Sequence, residues 1–142
     1  MYSRILVAIE NSAADRTILM HVEQLARLTG ARLLLVHIAD GWAARAFNEL
    51  NLRESEEMLA DRAYLDSLRA DLESRGFGVE TILGLGDPAR EISRLAETEH
   101  VDLVAMATHG HRGVSDVIHG QTANYVRHKV RVPVLLLRAQ SG

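Results

Sequence analysis

Asp102-Leu-Val-Ala-Met-Ala-Thr-His-Gly-His-Arg-Gly-Val-Ser-Asp-Val-Ile-His-Gly-Gln-Thr-Ala-Asn-Tyr-Val-Arg-His-Lys-Val-Arg-Val-Pro-Val-Leu-Leu-Leu-Arg138 is the stretch that decides the fold. It parses as an apolar strand, a glycine-bearing loop, a helix with Ala123, Val126 and Val130 on its apolar stripe, and a second apolar strand. Where a parallel strand feeds a loop and then a helix, free backbone N–H groups and the positive end of a helix dipole converge. Such a place suits a phosphate.

Working back from Asp102, the strand over 101–107 follows a helix opened by Asp87 as N-cap and Pro88 in its first turn, with Ile92, Leu95 and Ala96 on the buried face. A strand over 79–83 precedes it, alternating imperfectly with polar residues as expected near a sheet edge. Before that, a long helix runs from Asn51 to a stop at Gly76, with Met58, Leu65, Leu68 and Leu72 as its stripe. The segment 40–52, which holds Trp42 and Phe47, takes no regular assignment. At the start, the continuous apolar run 4–9 reads as a strand covered on both faces. Ser12 and Asp15 resemble a capping box, Ile18, Val22, Leu25 and Ala26 recur at helical spacing, Gly30 closes that helix, and 33–38 is a second buried strand.

Five strands alternating with four helices give an α/β fold, a doubly wound five-stranded parallel sheet with helices on both faces. Residues 1–142 are expected to form one domain, since no linker, repeat or low-complexity tract divides them. The chain has no cysteine, which excludes a disulfide scaffold or cysteine-ligated zinc. A formal charge of −3 argues against general affinity for nucleic acid or anionic membrane. The opening residues lack a signal peptide's apolar core, so a cytoplasmic location is expected.

Gly110 and Gly120 bracket nine residues and are followed by Gln121 and Thr122. On the functional reading they let backbone approach a di- or triphosphate, and Gly120-Gln121-Thr122 offer the first free N–H groups of the helix. On the plainer reading both glycines serve tight turns and Thr122 caps the helix. Spacing alone leaves both open.

At these residues the chain resembles a universal stress protein of the UspA family, from Ser3 to Arg138. The nucleotide-binding branch carries Gly, two residues, Gly, nine residues, Gly, then Ser or Thr. Here the matching positions are Ala107, Thr108-His109, Gly110, the nine residues from His111 to His119, Gly120 and Gln121. The spacing is kept, while Ala107 adds a methyl group and Gln121 replaces a short hydroxyl. At the end of the first strand the family's Asp corresponds to Glu10 within Val7-Ala8-Ile9-Glu10-Asn11-Ser12.

The resemblance implies an adenine-nucleotide site, for ATP first and ADP or AMP next, with Mg2+ as a possible companion of the phosphates. It places the nucleotide by Ala8, Ile9, Glu10, Ser12, Ile38, Met106, Ala107, His109, Gly110, His111, Gly113, Gly120, Gln121 and Thr122, with adenosine toward Glu10 and Ile38 and the phosphates toward Gly110 to Thr122. It further implies a homodimer through the last strand, with Val132, Val134, Leu135, Leu136 and Leu137 at the interface, acting as a regulatory module in stress response toward an unnamed protein partner. Two alternatives remain open: a dimeric interaction protein of this fold without nucleotide binding, and a slow nucleotide hydrolase.

Other signals are weaker. Gly84-Leu85-Gly86-Asp87-Pro88-Ala89 matches a dinucleotide fingerprint, but Asp87 would set a negative charge where a pyrophosphate must sit. His109, His111 and His119 match no established zinc spacing. No nucleophile elbow or paired carboxylate set is legible, so binding is expected rather than catalysis.

Overall fold

The computed structural model describes residues 1–40, 51–108 and 113–139, with 40, 51–55 and 113–120 described by their backbone alone. Trp42, Phe47, His109, Gly110, His111 and Arg112 therefore lie outside the described residues, as does the side chain of His119. The elements alternate as β1 (Arg4–Ala8), α1 (Ala14–Thr29), β2 (Arg32–Asp40), α2 (Asn51–Ser74), β3 (Val79–Gly86), α3 (Pro88–Thr98), β4 (Leu103–Thr108), α4 (Gly113–Lys129) and β5 (Val134–Arg138). All sheet pairings are parallel, in the order β3-β2-β1-β4-β5. The α/β class with five strands and four helices agrees with expectation, and β3 lies at an edge.

The apolar strands are buried on two faces because each face carries its own helix layer. Ile5 and Val7 pack with Ile18, Val22, Leu65 and Leu72 on the side of α1 and α2, all 1% exposed or less. Leu6, Leu34, Val36 and Val104 pack with Ile92, Leu95 and Val126 on the side of α3 and α4. Burying one such aliphatic side chain contributes about 1.5–3 kcal/mol, which is why strands with no polar alternation end up central.

Local signals set most of the ends. Gly30 takes φ 75° and its N–H closes on the Ala26 carbonyl, a left-handed stop for α1. Asp87 caps α3 by accepting from the Arg90 N–H at 3.0 Å. At the N-terminal rim, Asp102 accepts from the Ser3 N–H (2.8 Å), the Ser3 hydroxyl (3.0 Å) and the Arg4 N–H (3.1 Å). Burial pushes its carboxyl up, but these donors outweigh burial and hold it below the ordinary value. Arg4 in turn joins Glu80 at 2.8 Å and Glu99 at 3.2 Å.

One boundary differs from expectation in a way that bears on function. The helix expected to begin around Gln121 begins instead at Gly113. A single interior glycine costs a helix roughly 1 kcal/mol, while extending the helix through 113–120 adds one backbone hydrogen bond per residue without a second nucleus, and Val114, Val117 and Ile118 continue the helical spacing. Gly120, Gln121 and Thr122 consequently lie beyond the four N–H groups that an α-helix leaves free.

Candidate functional site

Strand order reverses between β1 and β4, whose neighbours β2 and β5 lie on opposite sides. Open α/β sheets hold ligands outside the C-terminal ends of strands at such a point. A cleft of about 200 Å³ opens there. Its floor is Ala8 and Ile9 from β1 and the turn after it, Val36 from β2, and Met106 and Ala107 from β4. Ile38, Pro88 and Ile92 form an apolar wall, while Glu10, His37 and Thr122 bring polar groups to it. Most of this lining is apolar with a few polar groups, the usual make-up of a small-molecule site.

The turn carrying Glu10 is built around a buried carboxylate. Asp15, 2% exposed, accepts from three successive N–H groups, Glu10 at 2.8 Å, Asn11 at 2.8 Å and Ser12 at 3.2 Å. It also accepts from the Tyr64 hydroxyl of α2 at 2.6 Å. Burial pushes the Tyr64 phenol above its ordinary value, and the hydrogen bond and charge of Asp15 push it further the same way. Asn11 adopts φ 61°, a left-handed geometry that asparagine tolerates, and so turns the chain back toward α1. Its side-chain amide donates to Asp61 Oδ1 at 3.0 Å.

Asp61 also meets His37 Nε2 at 3.3 Å, and His37 Nδ1 lies 2.7 Å from the Ile9 carbonyl oxygen. Helix α2 thus grips the β1–α1 turn from two positions. Glu10 Oε2 accepts from the Ser12 hydroxyl at 3.1 Å, which sets the carboxylate at the cleft's rim.

The structure brings Ala8, Ile9, Glu10, Ile38, Met106, Ala107 and Thr122 together around the cleft. Ser12 stands behind Glu10 as its hydrogen-bond donor. Gly113 begins α4, Gly120 lies within it, and Gln121 is exposed on it, outside the cleft lining. Sequence reasoning missed Pro88 and Ile92, although the Asp87-Pro88 cap already announced that α3 opens at the same rim. It also missed the roles of Asp61 and Tyr64, which no local signal betrays. Among the described residues no cluster of three or more histidine or acidic side chains is arranged to hold a metal ion, and no helix is long and apolar enough to cross a membrane.

A family model of the universal stress protein family matches residues 1–138. The chain belongs to that family. It is 25% identical to universal stress protein MJ0577 of Methanocaldococcus jannaschii, covering 100% of this chain and 98% of that protein. The solved structure of MJ0577 superposes with a TM-score of 0.84 at 26% identity, covering 100% and 99% of the two chains. Two more distant family structures share the fold. One was solved in complex with cAMP (TM-score 0.70, 16% identity, 98% of both chains). The other, from Archaeoglobus fulgidus, was solved in complex with dAMP (TM-score 0.67, 21% identity, 95% and 97%).

Proposed function

We infer that this universal stress protein binds an adenine nucleotide, ATP foremost, and acts as a cytoplasmic, homodimeric regulatory module in stress response. The observation that carries the reading is the apolar cleft at the β1/β4 switch point with Glu10 at its rim. A purine fits between Ile38, Ile92 and the strand floor, and Glu10 accepts from ribose hydroxyls. The like charge of Glu10 directs phosphates away from β1, toward the start of α4 at Gly113 and its free N–H groups. Mg2+ accompanies the phosphates. The cAMP and dAMP of the two neighbours share the adenine base, which supports the ligand class. Dimerisation runs through β5, where Leu136 is 38% exposed on an edge strand.

A second reading is favoured by one observation. Because α4 runs through Gly120, Gln121 and Thr122, their N–H groups serve the helix rather than an anion. On that reading the protein is a dimeric interaction module without a nucleotide.

Denaturing freshly purified protein and identifying released small molecules by chromatography and mass spectrometry separates the two. Near-stoichiometric adenine nucleotide supports binding. An empty protein that also fails to bind added ATP supports the interaction reading.

A further inference from the structure

We propose that Gly84, outside the cleft lining, sets the depth of the base pocket by giving Ile38 a place to withdraw. The inference rests on the adenine-nucleotide reading and names the residue that decides which bases the cleft accepts.

Gly84 pairs with Ile38 across the parallel β2–β3 register, so both residues present the same sheet face. A Cβ built on Gly84 would stand 2.7 Å from Ile38 Cδ1, with no other heavy atom within 4 Å. That is nearly 1 Å inside ordinary contact between carbon atoms, which lies at about 3.5–4.0 Å. Ile38 therefore occupies the volume that any side chain at position 84 would take. Below it on β2, Val36 is 1% exposed and Leu34 is fully buried, so the core has no slack in that direction. The adjoining open volume is the cleft that Ile38 already lines. A methyl group at position 84 would drive the isoleucine tip into the space meant for a ring.

The effect is selective by size. A tip displaced into the cleft blocks the deep edge of a purine more than it blocks a pyrimidine, which reaches less far. Gly84 is thus a specificity-determining residue acting through Ile38, and the cleft's preference for the larger ring depends on a glycine in a neighbouring strand.

The test is a four-member cycle of wild type, Gly84→Ala, Ile38→Val and the double variant. Binding of AMP and CMP is read by calorimetry, and folding by urea denaturation. Ile38→Val deletes Cδ1, the one atom that the new methyl would meet. Gly84→Ala should weaken AMP about tenfold or more, the scale of an overpacked site, and weaken CMP by much less. The double variant should bind AMP within about threefold of Ile38→Val, no more than about half of a tenfold loss on the free-energy scale.

Unchanged AMP affinity in a folded Gly84→Ala protein overturns the inference, as does equal loss for AMP and CMP. A wild-type protein that binds neither nucleotide overturns the adenine-nucleotide reading itself and takes this inference with it, a failure distinct from the other two. Should Gly84→Ala be too unstable to assay, a folded double variant that binds AMP as Ile38→Val does supports the proposal, and one that does not bind overturns it.

Discussion

Replacing Tyr64 with phenylalanine should destabilise the protein while leaving its packing volume intact. The hydroxyl donates to Asp15 at 2.6 Å, and a hydrogen bond to an ionised acceptor contributes roughly 1.5–3 kcal/mol. Tyr64 is only half-buried, so solvent replaces part of what is lost and a figure of about 1–2 kcal/mol is expected. With a urea m-value of roughly 1–3 kcal/mol/M for a small domain, the midpoint should fall by about 0.3–2 M at unchanged slope.

Asp15→Asn should cost more. Oδ2 accepts from three donors and Oδ1 from one, so the amide will turn its NH2 toward the Glu10 N–H and leave that donor unpaired in a buried site. Loss of charge assistance adds to this, giving about 2–4 kcal/mol. The two changes should be non-additive, because both weaken the same hydrogen bond, one by deleting its donor and the other by removing the charge from its acceptor. The phenol also makes stability depend on alkaline pH. Its pKa is raised in the folded protein, so above about pH 10 the unfolded chain releases a proton that the folded chain retains, and stability falls as pH rises. The gap between wild type and Tyr64→Phe should therefore narrow from pH 10 upward. A midpoint that does not move at neutral pH, or a gap that stays constant to pH 11, would refute the role assigned to this hydrogen bond.

Three further outcomes follow from named contacts. Asp102 is held below its ordinary carboxyl value by donors from Ser3 and Arg4, so its contribution is present above about pH 4 and is lost on acidification; Asp102→Asn should flatten the acid limb of a stability profile measured by denaturation between pH 2 and 5. Gly120→Ala should raise stability by roughly 0.5–1 kcal/mol because α4 runs through this position, and a thermal melt that drops instead would refute that account. Leu136→Lys places a charge on the exposed edge strand and should give monomer or insoluble protein by light scattering; an unchanged soluble dimer would refute the β5 interface.

What could be read in the sequence follows a physical division between local and cross-chain causes. The first strand, read as 4–9 and observed as Arg4–Ala8, the stop at Gly30 and the Asp87 cap were legible because each is decided within one turn or one run of side chains. Glu10 and Ile38 were singled out through resemblance, and the sheet order explains why both line the cleft, since they stand at the C-terminal ends of adjacent strands. The start of α4 was not legible, because glycines at 113 and 120 give the same local signal whether they bound a loop or interrupt a helix. Neither was the knot at Asp15, whose fourth donor stands 49 residues away.

Gly84 illustrates how a motif can mislead for a physical reason. Read along the chain, Gly84 and Gly86 belong to a fingerprint for a phosphate turn, and Asp87 argues against a phosphate there. Read across the sheet, Gly84 lies beside Ile38, and the missing side chain serves an apolar wall one strand away. Periodicity along a strand tells which face a residue presents but not what faces it from the neighbouring strand, because register is a property of the pair. A glycine in a strand interior weakens the strand. Its presence therefore calls for a partner that uses the space, and here that partner is a residue of the cleft. The α3 and α4 side of the sheet then does two things with one layer: it closes the core below Val36 and leaves the volume above it open. Any change that moves Ile38 should alter both, and the ratio of the two effects measures how far the pocket is independent of the core.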